Sequence, residues 1–142
     1  EHYEISNFAK PGHYAVHNSN YWLGKTYLGI GPSAHSFNKL SRQWNIAHNP
    51  KYIQSFTEQS PSAWYEKETL DKDQRYNEYV MTRLRTIWGV SLDDLDTKYK
   101  NHFLQEIQAY LATNKVVEED NIYKLTKAGR LLADRIASDV FY

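Results

Sequence analysis

The first part of the chain alternates large apolar and polar residues. This pattern predicts a strand with one solvent-facing side over residues 3–9 and a second strand over residues 27–30. Residues 34–37 and 43–46 are predicted to form the two arms of a hairpin. Residues 13–25 are predicted to form a loop, because a Pro-Gly pair interrupts the pattern just before them.

The second part of the chain spaces its apolar residues by three and four, which predicts amphipathic helices. Asn49-Pro50 is a favourable helix start, with Asn at the N-cap, and the short helix that follows extends to about residue 59. Asp71 is predicted to cap the longest helix, and Gly89 is predicted to end it at the C′ position.

A capping-box pattern at residues 91–94 is predicted to begin the next helix. A further helix, which carries the apolar residues between 103 and 111, is predicted to end near Asn114. Residues 116–118 and 122–125 are predicted hairpin arms, and Thr126 is predicted to cap a final helix. The order helix, helix, helix, hairpin, helix is close to a winged-helix arrangement. The side chains predicted to face inward in this last part are Leu92, Leu95, Tyr99, Phe103, Leu104, Ile107, Tyr110, Leu111, Leu131, Leu132, Ile136, Val140 and Phe141.

These elements predict an α+β fold, with a small antiparallel sheet followed by a helical, winged-helix-like domain. The predicted boundary is Ser60-Pro61-Ser62, which gives domains 1–60 and 61–142. The chain begins with Glu and not with Met, and we therefore expect it to be a fragment of a longer protein. No apolar run reaches the roughly 20 residues that span a bilayer, so we expect a cytoplasmic protein that is not transmembrane.

Composition removes several kinds of chemistry. The 142 residues include no Cys, which excludes disulfides and thiolate ligands from this chain. Basic and acidic side chains balance at 17 each. The predicted wing carries Glu118, Glu119 and Asp120, whose charge has the wrong sign for contact with phosphate. We therefore expect no nucleic-acid partner, and a winged helix here would be a structural or protein-contact module.

His17 is the most informative candidate for chemistry. A neutral imidazole is a good haem-iron ligand, and the aromatic rings of Tyr21 and Trp22 could stack on a porphyrin. In the alternative, His17 and Asn18 bond loop backbone and the two rings fill the edge of a core. The residues alone favour this packing alternative. A zinc pair of His13 and His17 would need a helix and a third ligand, and neither is expected.

The second candidate is the turn that follows residues 27–30. Gly29 and Gly31, with Pro32-Ser33 behind them, predict either a tight strand exit or a turn that faces a ligand. The spacing lacks the third glycine and the helix of a dinucleotide site. His35 and Ser36 would point to opposite faces of a strand, so they cannot pair as base and nucleophile.

Several stretches resemble the oxygen-independent coproporphyrinogen III oxidase-like radical SAM family (HemN/HemW), in order and over nearly the whole chain. They are Tyr3-Glu4-Ile5-Ser6-Asn7-Phe8-Ala9, His17-Asn18-x-x-Tyr21-Trp22, residues 27–36, Leu84-Arg85-Thr86 with Gly89-Val90, and Leu125-Thr126-x-x-Gly129 with Ala133-Asp134. Within that family, His-Asn-x-x-Tyr-Trp is similar to the signature of the haem chaperone branch. The resemblance implies that His17, Asn18, Tyr21 and Trp22 contribute to haem binding, and that haem-accepting proteins are partners.

The resemblance also implies that Gly29, Gly31, Ser33 and His35 line a cavity for S-adenosylmethionine and substrate in the complete protein. Ser33 occupies a position at which glycine is more usual in the family. The [4Fe–4S] cluster of the family is held by three cysteines, and this chain contains none. We therefore expect residues 1–60 to be the last strands and lid of a radical SAM barrel. No cofactor is expected to bind stably to this chain alone, and no residue is assigned as catalytic or as a metal ligand.

Two alternatives to a haem chaperone remain open from the sequence. The first is an oxygen-independent coproporphyrinogen III oxidase, which decarboxylates coproporphyrinogen III to protoporphyrinogen IX. The second is a winged-helix module that contacts another protein. The resemblance leaves it undecided whether the parent protein is an enzyme.

Overall fold

The computed structural model describes residues 1–57 and 64–142. It contains two compact units, one formed by Glu1–Gly24 with Lys72–Tyr142 and the other by Lys25–Asp71. Helices and small antiparallel sheets make up both units, so the predicted α+β class is confirmed. The predicted boundary at Ser60-Pro61-Ser62 lies outside the described residues, and the division into domains 1–60 and 61–142 stays a prediction.

Six helices and eight strands are present in the described ranges. The helices are α1 Val16–Trp22, α2 Asn49–Thr57, α3 Lys72–Leu84, α4 Thr97–Glu106, α5 Gln108–Ala112 and α6 Ala133–Asp139. The strands are β1 His2–Glu4, β2 Asn7–Phe8, β3 His35–Phe37, β4 Ser41–Asn45, β5 Tyr65–Thr69, β6 Val90–Ser91, β7 Val116–Glu119 and β8 Ile122–Leu125. They form three antiparallel sheets in the orders β1-β2, β3-β4-β5 and β6-β8-β7.

The core of the first unit lies between α3, α4, α6 and the β6-β8-β7 sheet. Val80, Phe103, Ile107 and Ile136 are fully buried at its centre. The predicted inward positions of the final helix are wrong in part, because Leu131 is 86% and Leu132 is 43% exposed. Both belong to a 3₁₀ turn, Gly129–Leu132, whose side chains do not continue the face of α6.

The longest helix ends earlier than predicted. Its last residue is Leu84, five positions before Gly89. The backbone beyond it pairs with the N-terminal hairpin instead of continuing the helix. The N–H of Ile5 donates to the Arg85 carbonyl at 3.1 Å, and the N–H of Ile87 donates to the Tyr3 carbonyl at 3.0 Å. Gly89 then turns the chain into β6 with a φ of +68°.

The N-terminal strand predicted over residues 3–9 is a hairpin of β1 and β2. Its solvent-facing side was also predicted wrongly at one position, since Glu4 is only 1% exposed. The side chain of this glutamate accepts a hydrogen bond from the N–H of Ser6 at 2.9 Å and another from the Asn7 amide. These bonds satisfy the buried carboxylate and close the turn between the two strands.

The predicted helix that ends near Asn114 is present as two segments, α4 and α5, which meet at Ile107. The capping serine at residue 91 is confirmed, because its Oγ accepts from the N–H of Asp93 at 3.3 Å, although the segment it caps is a 3₁₀ turn. Thr126, by contrast, does not cap the final helix, because α6 begins at Ala133 with Leu132 at its N-cap position. The Oγ1 of Thr126 accepts from the N–H of Gly129 at 3.0 Å, at the start of the 3₁₀ turn that precedes α6. The β7-β8 hairpin is confirmed.

The second unit is built on the β3-β4 hairpin, as predicted. The strand predicted over residues 27–30 is wrong, because only Tyr27 pairs, in an isolated bridge with Phe37. Strand β5 was missed, and it pairs with β4 along its whole length. Helix α2 begins at Asn49, and the residue that caps it is His48, whose Nδ1 accepts from the N–H of Lys51 at 3.3 Å.

No helix in residues 1–57 or 64–142 has the length and apolar character that crossing a membrane requires.

Candidate functional site

Helix α1 replaces the loop that was predicted for residues 13–25. The Pro-Gly pair makes a turn in which the N–H of His13 donates to the Lys10 carbonyl at 2.9 Å. The helix begins only at Val16, after Ala15 in an extended conformation, so the two helix breakers lie outside it. The sequence prediction extended their influence too far along the chain.

The two sides of α1 have different environments. Val16, His17, Asn20 and Tyr21 are exposed, whereas Asn18 and Trp22 are half-buried and Ser19 is buried. This division follows the 3.6-residue period of a helix. The four residues predicted to bind haem are therefore split, with His17 and Tyr21 on the outer side and Asn18 and Trp22 on the inner side.

The outer side presents an imidazole beside a phenol. His17 and Tyr21 are four residues apart, so their side chains are neighbours on the helix surface. The Tyr21 side chain is 44% exposed, and its ring meets Trp22 edge-on with centroids 5.1 Å apart. Within the described ranges the His17 ring makes no hydrogen bond, in contrast to the packing alternative, in which loop backbone would bind it.

The inner side of α1 is fixed by two side-chain hydrogen bonds. The indole Nε1 of Trp22 donates to Asn18 Oδ1 at 3.1 Å, one helical turn away. The amide of Asn18 in turn donates to the hydroxyl of Tyr3 at 3.2 Å. Tyr3 is 2% exposed and contacts Tyr14 and Trp88 through its ring. Asn18 therefore links the helix to the N-terminal hairpin.

An arginine that pairs with a buried carboxylate lies next to this contact. Arg85 donates from Nε to Glu4 Oε1 at 3.3 Å and from Nη1 to Asp134 Oδ1 at 2.7 Å. Its guanidinium carbon lies 5.2 Å from the centre of the Trp22 ring, within the range of a cation–π contact. Glu4 and Arg85 are 81 residues apart in the chain and were not predicted as site residues.

The sequence carries a signal for these two residues. Both lie in stretches that carry the family resemblance, and Glu4 stands between two apolar residues in a predicted strand. A charged residue that is buried in a strand must find a partner, because an unpaired carboxylate is costly in an apolar environment. The pairing itself depends on the tertiary fold and could not be found from spacing.

The second unit holds the other predicted site residues. Gly29 packs against the backbone of His35 so closely that an added Cβ would lie 2.2 Å from its carbonyl oxygen. The N–H of Gly29 donates to Ser36 Oγ at 3.0 Å, in place of a continuing strand ladder. Gly29 is therefore required by the packing of this unit, whether or not a ligand is bound nearby.

Gly31 and Ser33 differ from Gly29 in both backbone shape and space. Gly31 has a φ of +101°, and within the described residues a Cβ added there would meet nothing within 4 Å. Ser33 has a φ of +61°, which lies in the left-handed region that favours glycine. This conformation gives a physical reason why a glycine would suit position 33. His35 is exposed, and its ring centroid lies 6.3 Å from that of Trp44.

Asn45 binds the backbone of this turn and was not predicted as a site residue. The side chain is 2% exposed, and its Nδ2 donates to the carbonyls of Gly31 at 2.8 Å and Gly29 at 3.4 Å. These bonds hold the two glycine carbonyls in one direction. Asn45 is thus a structural residue of the turn.

A separate open cleft of about 280 Å³ lies beside the first turns of α3. It contains none of the predicted site residues, and burial raises the pKa of its Tyr76 and Tyr79 hydroxyls above the ordinary value. Its lining residues are Lys72, Arg75, Tyr76, Tyr79, Asp94, Leu95, Asp96 and Tyr99.

Metal-ligating groups do not converge in the described residues. No cluster of three or more His, Cys, Asp or Glu side chains is placed to hold a metal ion there. His13 lies before α1, so it is not on the same helical face as His17. Because the sequence has no cysteine, this chain supplies none of the thiolates that hold a [4Fe–4S] cluster.

Comparison with known proteins agrees with the family resemblance. Residues 70–132 match the model of the HemN C-terminal domain. The chain is 32% identical over 135 residues to the Heme chaperone HemW of Mycobacterium tuberculosis, an alignment that covers 94% of this chain and 33% of the relative. It is 27% identical to the Heme chaperone HemW of Bacillus subtilis, over 94% of this chain and 36% of the relative.

The chain belongs to the HemN/HemW family. Its fold is similar to that of coproporphyrinogen III oxidase (HemN) from Escherichia coli, a radical SAM enzyme, with a TM-score of 0.62. At 22% identity, over 82% of this chain and 28% of the enzyme chain, this likeness concerns the fold alone. This HemN/HemW-family chain spans about a third of the length of the curated relatives it matches.

Proposed function

We propose that this chain carries the haem-binding residues of a haem chaperone related to HemW, with His17 as a ligand of the haem iron. The observation that carries the proposal is an exposed imidazole, without a hydrogen bond among the described residues, on a helix whose inner side is anchored. A neutral imidazole nitrogen is a common ligand of haem iron. A cytoplasmic location and delivery to haem-accepting proteins are part of this proposal.

The arrangement of α1 supports a shared role for the four residues of the His-Asn-x-x-Tyr-Trp sequence. His17 and Tyr21 face outward, where an apolar ring system could cover them. Asn18 and Trp22 face inward and fix the direction of the helix through their mutual hydrogen bond. In this proposal the outer pair contacts haem and the inner pair sets its position.

The name of the Mycobacterium tuberculosis relative, aligned over 94% of this chain, supports a haem chaperone. We propose that Gly31, Ser33 and His35 border the cavity for S-adenosylmethionine and substrate, together with Gly29. The open backbone at Gly31 supports this part of the proposal. S-adenosylmethionine would supply radical chemistry in the complete protein, and this chain's own residues would only line its site.

The test is a titration of ferric haem into the protein expressed from its complete gene, followed by the Soret band. His17→Ala is expected to weaken haem binding about tenfold or more, equivalent to about 1.4 kcal/mol, and to change the Soret maximum. His13→Ala is the matched control, because His13 is also exposed and lies only three residues before the helix. Identical affinity and spectrum in His17→Ala and the parent protein would refute the role of His17.

The same preparation distinguishes the alternatives. Robust decarboxylation of coproporphyrinogen III, dependent on S-adenosylmethionine, would favour an oxidase over a chaperone. Binding of a protein partner to the complete protein without haem, through residues 61–142, would favour the winged-helix interaction module. Tight haem binding without turnover is the result expected for the proposed chaperone.

A further inference from the structure

Arg85 contacts three separate elements of the first unit. It donates to Glu4 of β1 at 3.3 Å and to Asp134 of α6 at 2.7 Å, and its guanidinium lies over the ring of Trp22 in α1. Its side chain is only 20% exposed. One residue outside the helices therefore joins the N-terminal hairpin and the last helix to the short helix that carries His17.

Helix α1 depends on such contacts for its position. It has seven residues, about two turns, and an isolated helix of that length is not stable in water. Its inner side is held at Asn18 by the Tyr3 hydroxyl and at Trp22 by Arg85. Tyr3 and Arg85 belong to neighbouring backbone segments, which are joined by the hydrogen bonds Ile5 N–H to Arg85 O and Ile87 N–H to Tyr3 O.

We infer that Arg85 is a positioning residue, which orients α1 through Trp22 and so directs the imidazole of His17. The inference rests on the proposed role of His17 for its consequence on haem, although the anchoring of α1 can be measured without haem. Arginine suits this place because its planar group stacks on an indole while its N–H groups donate within the same plane. A lysine keeps the charge beside Glu4 but cannot make both contacts.

The discriminating variant is therefore Arg85→Lys, which keeps the buried carboxylate paired with a cation. We expect amide hydrogen exchange in residues 16–22 to become about twofold to fivefold faster without haem, the change that corresponds to a lost cation–π contact. We expect a comparable loss of haem affinity with a shifted Soret band. Arg83→Lys is the matched control, because Arg83 lies over the Tyr79 ring at 5.4 Å and not over α1. Neither readout should change in that variant.

A second variant tests whether Arg85 acts through Trp22. In a Trp22→Leu background, Arg85→Lys should cause no further increase in α1 exchange, because the contact is already absent. Equal effects in both backgrounds would overturn the proposed route through the indole. Unchanged exchange in Arg85→Lys, with Trp22 intact, would overturn the anchoring role altogether.

The haem readout separates this inference from the proposed function. If His17→Ala alters haem binding but Arg85→Lys alters only the exchange of α1, then Arg85 anchors the helix without positioning His17, and the inference is overturned. If His17→Ala has no effect on haem, the proposed function has failed. In that case the anchoring role stands or falls on the exchange measurement alone.

Discussion

The buried pair of Glu4 and Arg85 makes a quantitative prediction about stability. Replacing Arg85 with Met removes the cation but leaves the Glu4 carboxylate, which is 1% exposed. Breaking a buried pair from one side costs about 3–5 kcal/mol, because the remaining charge is neither solvated nor paired. For a domain whose total stability is about 5–15 kcal/mol, this loss is large.

The double variant should be more stable than Arg85→Met alone. Glu4→Gln removes the buried charge, while its remaining side-chain oxygen can still accept from the N–H of Ser6, as the carboxylate does at 2.9 Å. We therefore expect Glu4→Gln combined with Arg85→Met to recover about 1–3 kcal/mol of the loss. This recovery is the specific sign of an uncompensated carboxylate, and simple loss of arginine packing would not produce it.

The assay is equilibrium unfolding in urea with linear extrapolation, in which the slope must stay constant among the variants. Asp134→Asn is the matched control, because Asp134 binds the same arginine but its side chain is 76% exposed. An exposed pair contributes about 0–1 kcal/mol, so this variant should change little. The reasoning is refuted if Arg85→Met costs no more than Asp134→Asn, or if the double variant is as unstable as the sum of its parts.

Two further predictions concern the helical part of the first unit. Gly89 and Gly24 have similar φ values of +68° and +66°. A Cβ added at Gly89 would lie 2.5 Å from the Tyr123 carbonyl oxygen, whereas a Cβ added at Gly24 would have no described atom within 4 Å. Gly24→Ala should therefore lower the free energy of unfolding by about 1 kcal/mol through the backbone conformation alone, and Gly89→Ala by about 1–3 kcal/mol more through the added clash. Equal unfolding midpoints for the two variants would contradict this account. The hydrogen bond from Tyr99 and the ion pair with Lys98 hold the pKa of Asp73 below its ordinary value. The stabilising effect of the Asp73 carboxylate is present above about pH 3.9 and is lost as the pH falls through its lower folded-state pKa. Asp73→Asn should therefore reduce the fall of Tm between neutral and acid pH. An equal fall of Tm in the variant and the parent protein would contradict this prediction.

Much of the fold follows from local sequence signals. Ser91 caps as predicted, and the β7-β8 hairpin turns at Asp120 and Asn121, both with positive φ. Each of these features depends on residues a few positions apart, for which side-chain chemistry is enough. The HemN/HemW resemblance is confirmed for the same reason, since it rests on the order of short motifs.

The errors arise where distant backbone segments meet. Strand β5 was missed because Glu66, Lys67 and Glu68 give it no apolar alternation, although its backbone pairs fully with β4. The predicted strand over residues 27–30 fails because Gly29 packs too closely against His35 for a regular ladder. Neither the pairing of β5 with β4 nor the close approach of Gly29 to His35 produces a periodic pattern in the sequence.

The candidate site shows the same limit. His17, Asn18, Tyr21 and Trp22 were proposed as site residues from the sequence. Their division between the outer and inner sides of α1 depends on a helix that was predicted as a loop. Glu4 and Arg85, 81 residues apart, meet only through the fold. The side chains that would contact a ligand were therefore more accessible to sequence analysis than the side chains that position them.

The most direct test of the central claim is chemical rescue of the His17→Ala protein with imidazole. If His17 ligates haem iron, the ferric spectrum of the variant should differ from that of the parent protein, and added imidazole should restore the parent Soret maximum. The His13→Ala protein should need no rescue. A variant spectrum identical to that of the parent protein before imidazole is added would contradict the claim that this exposed histidine binds haem.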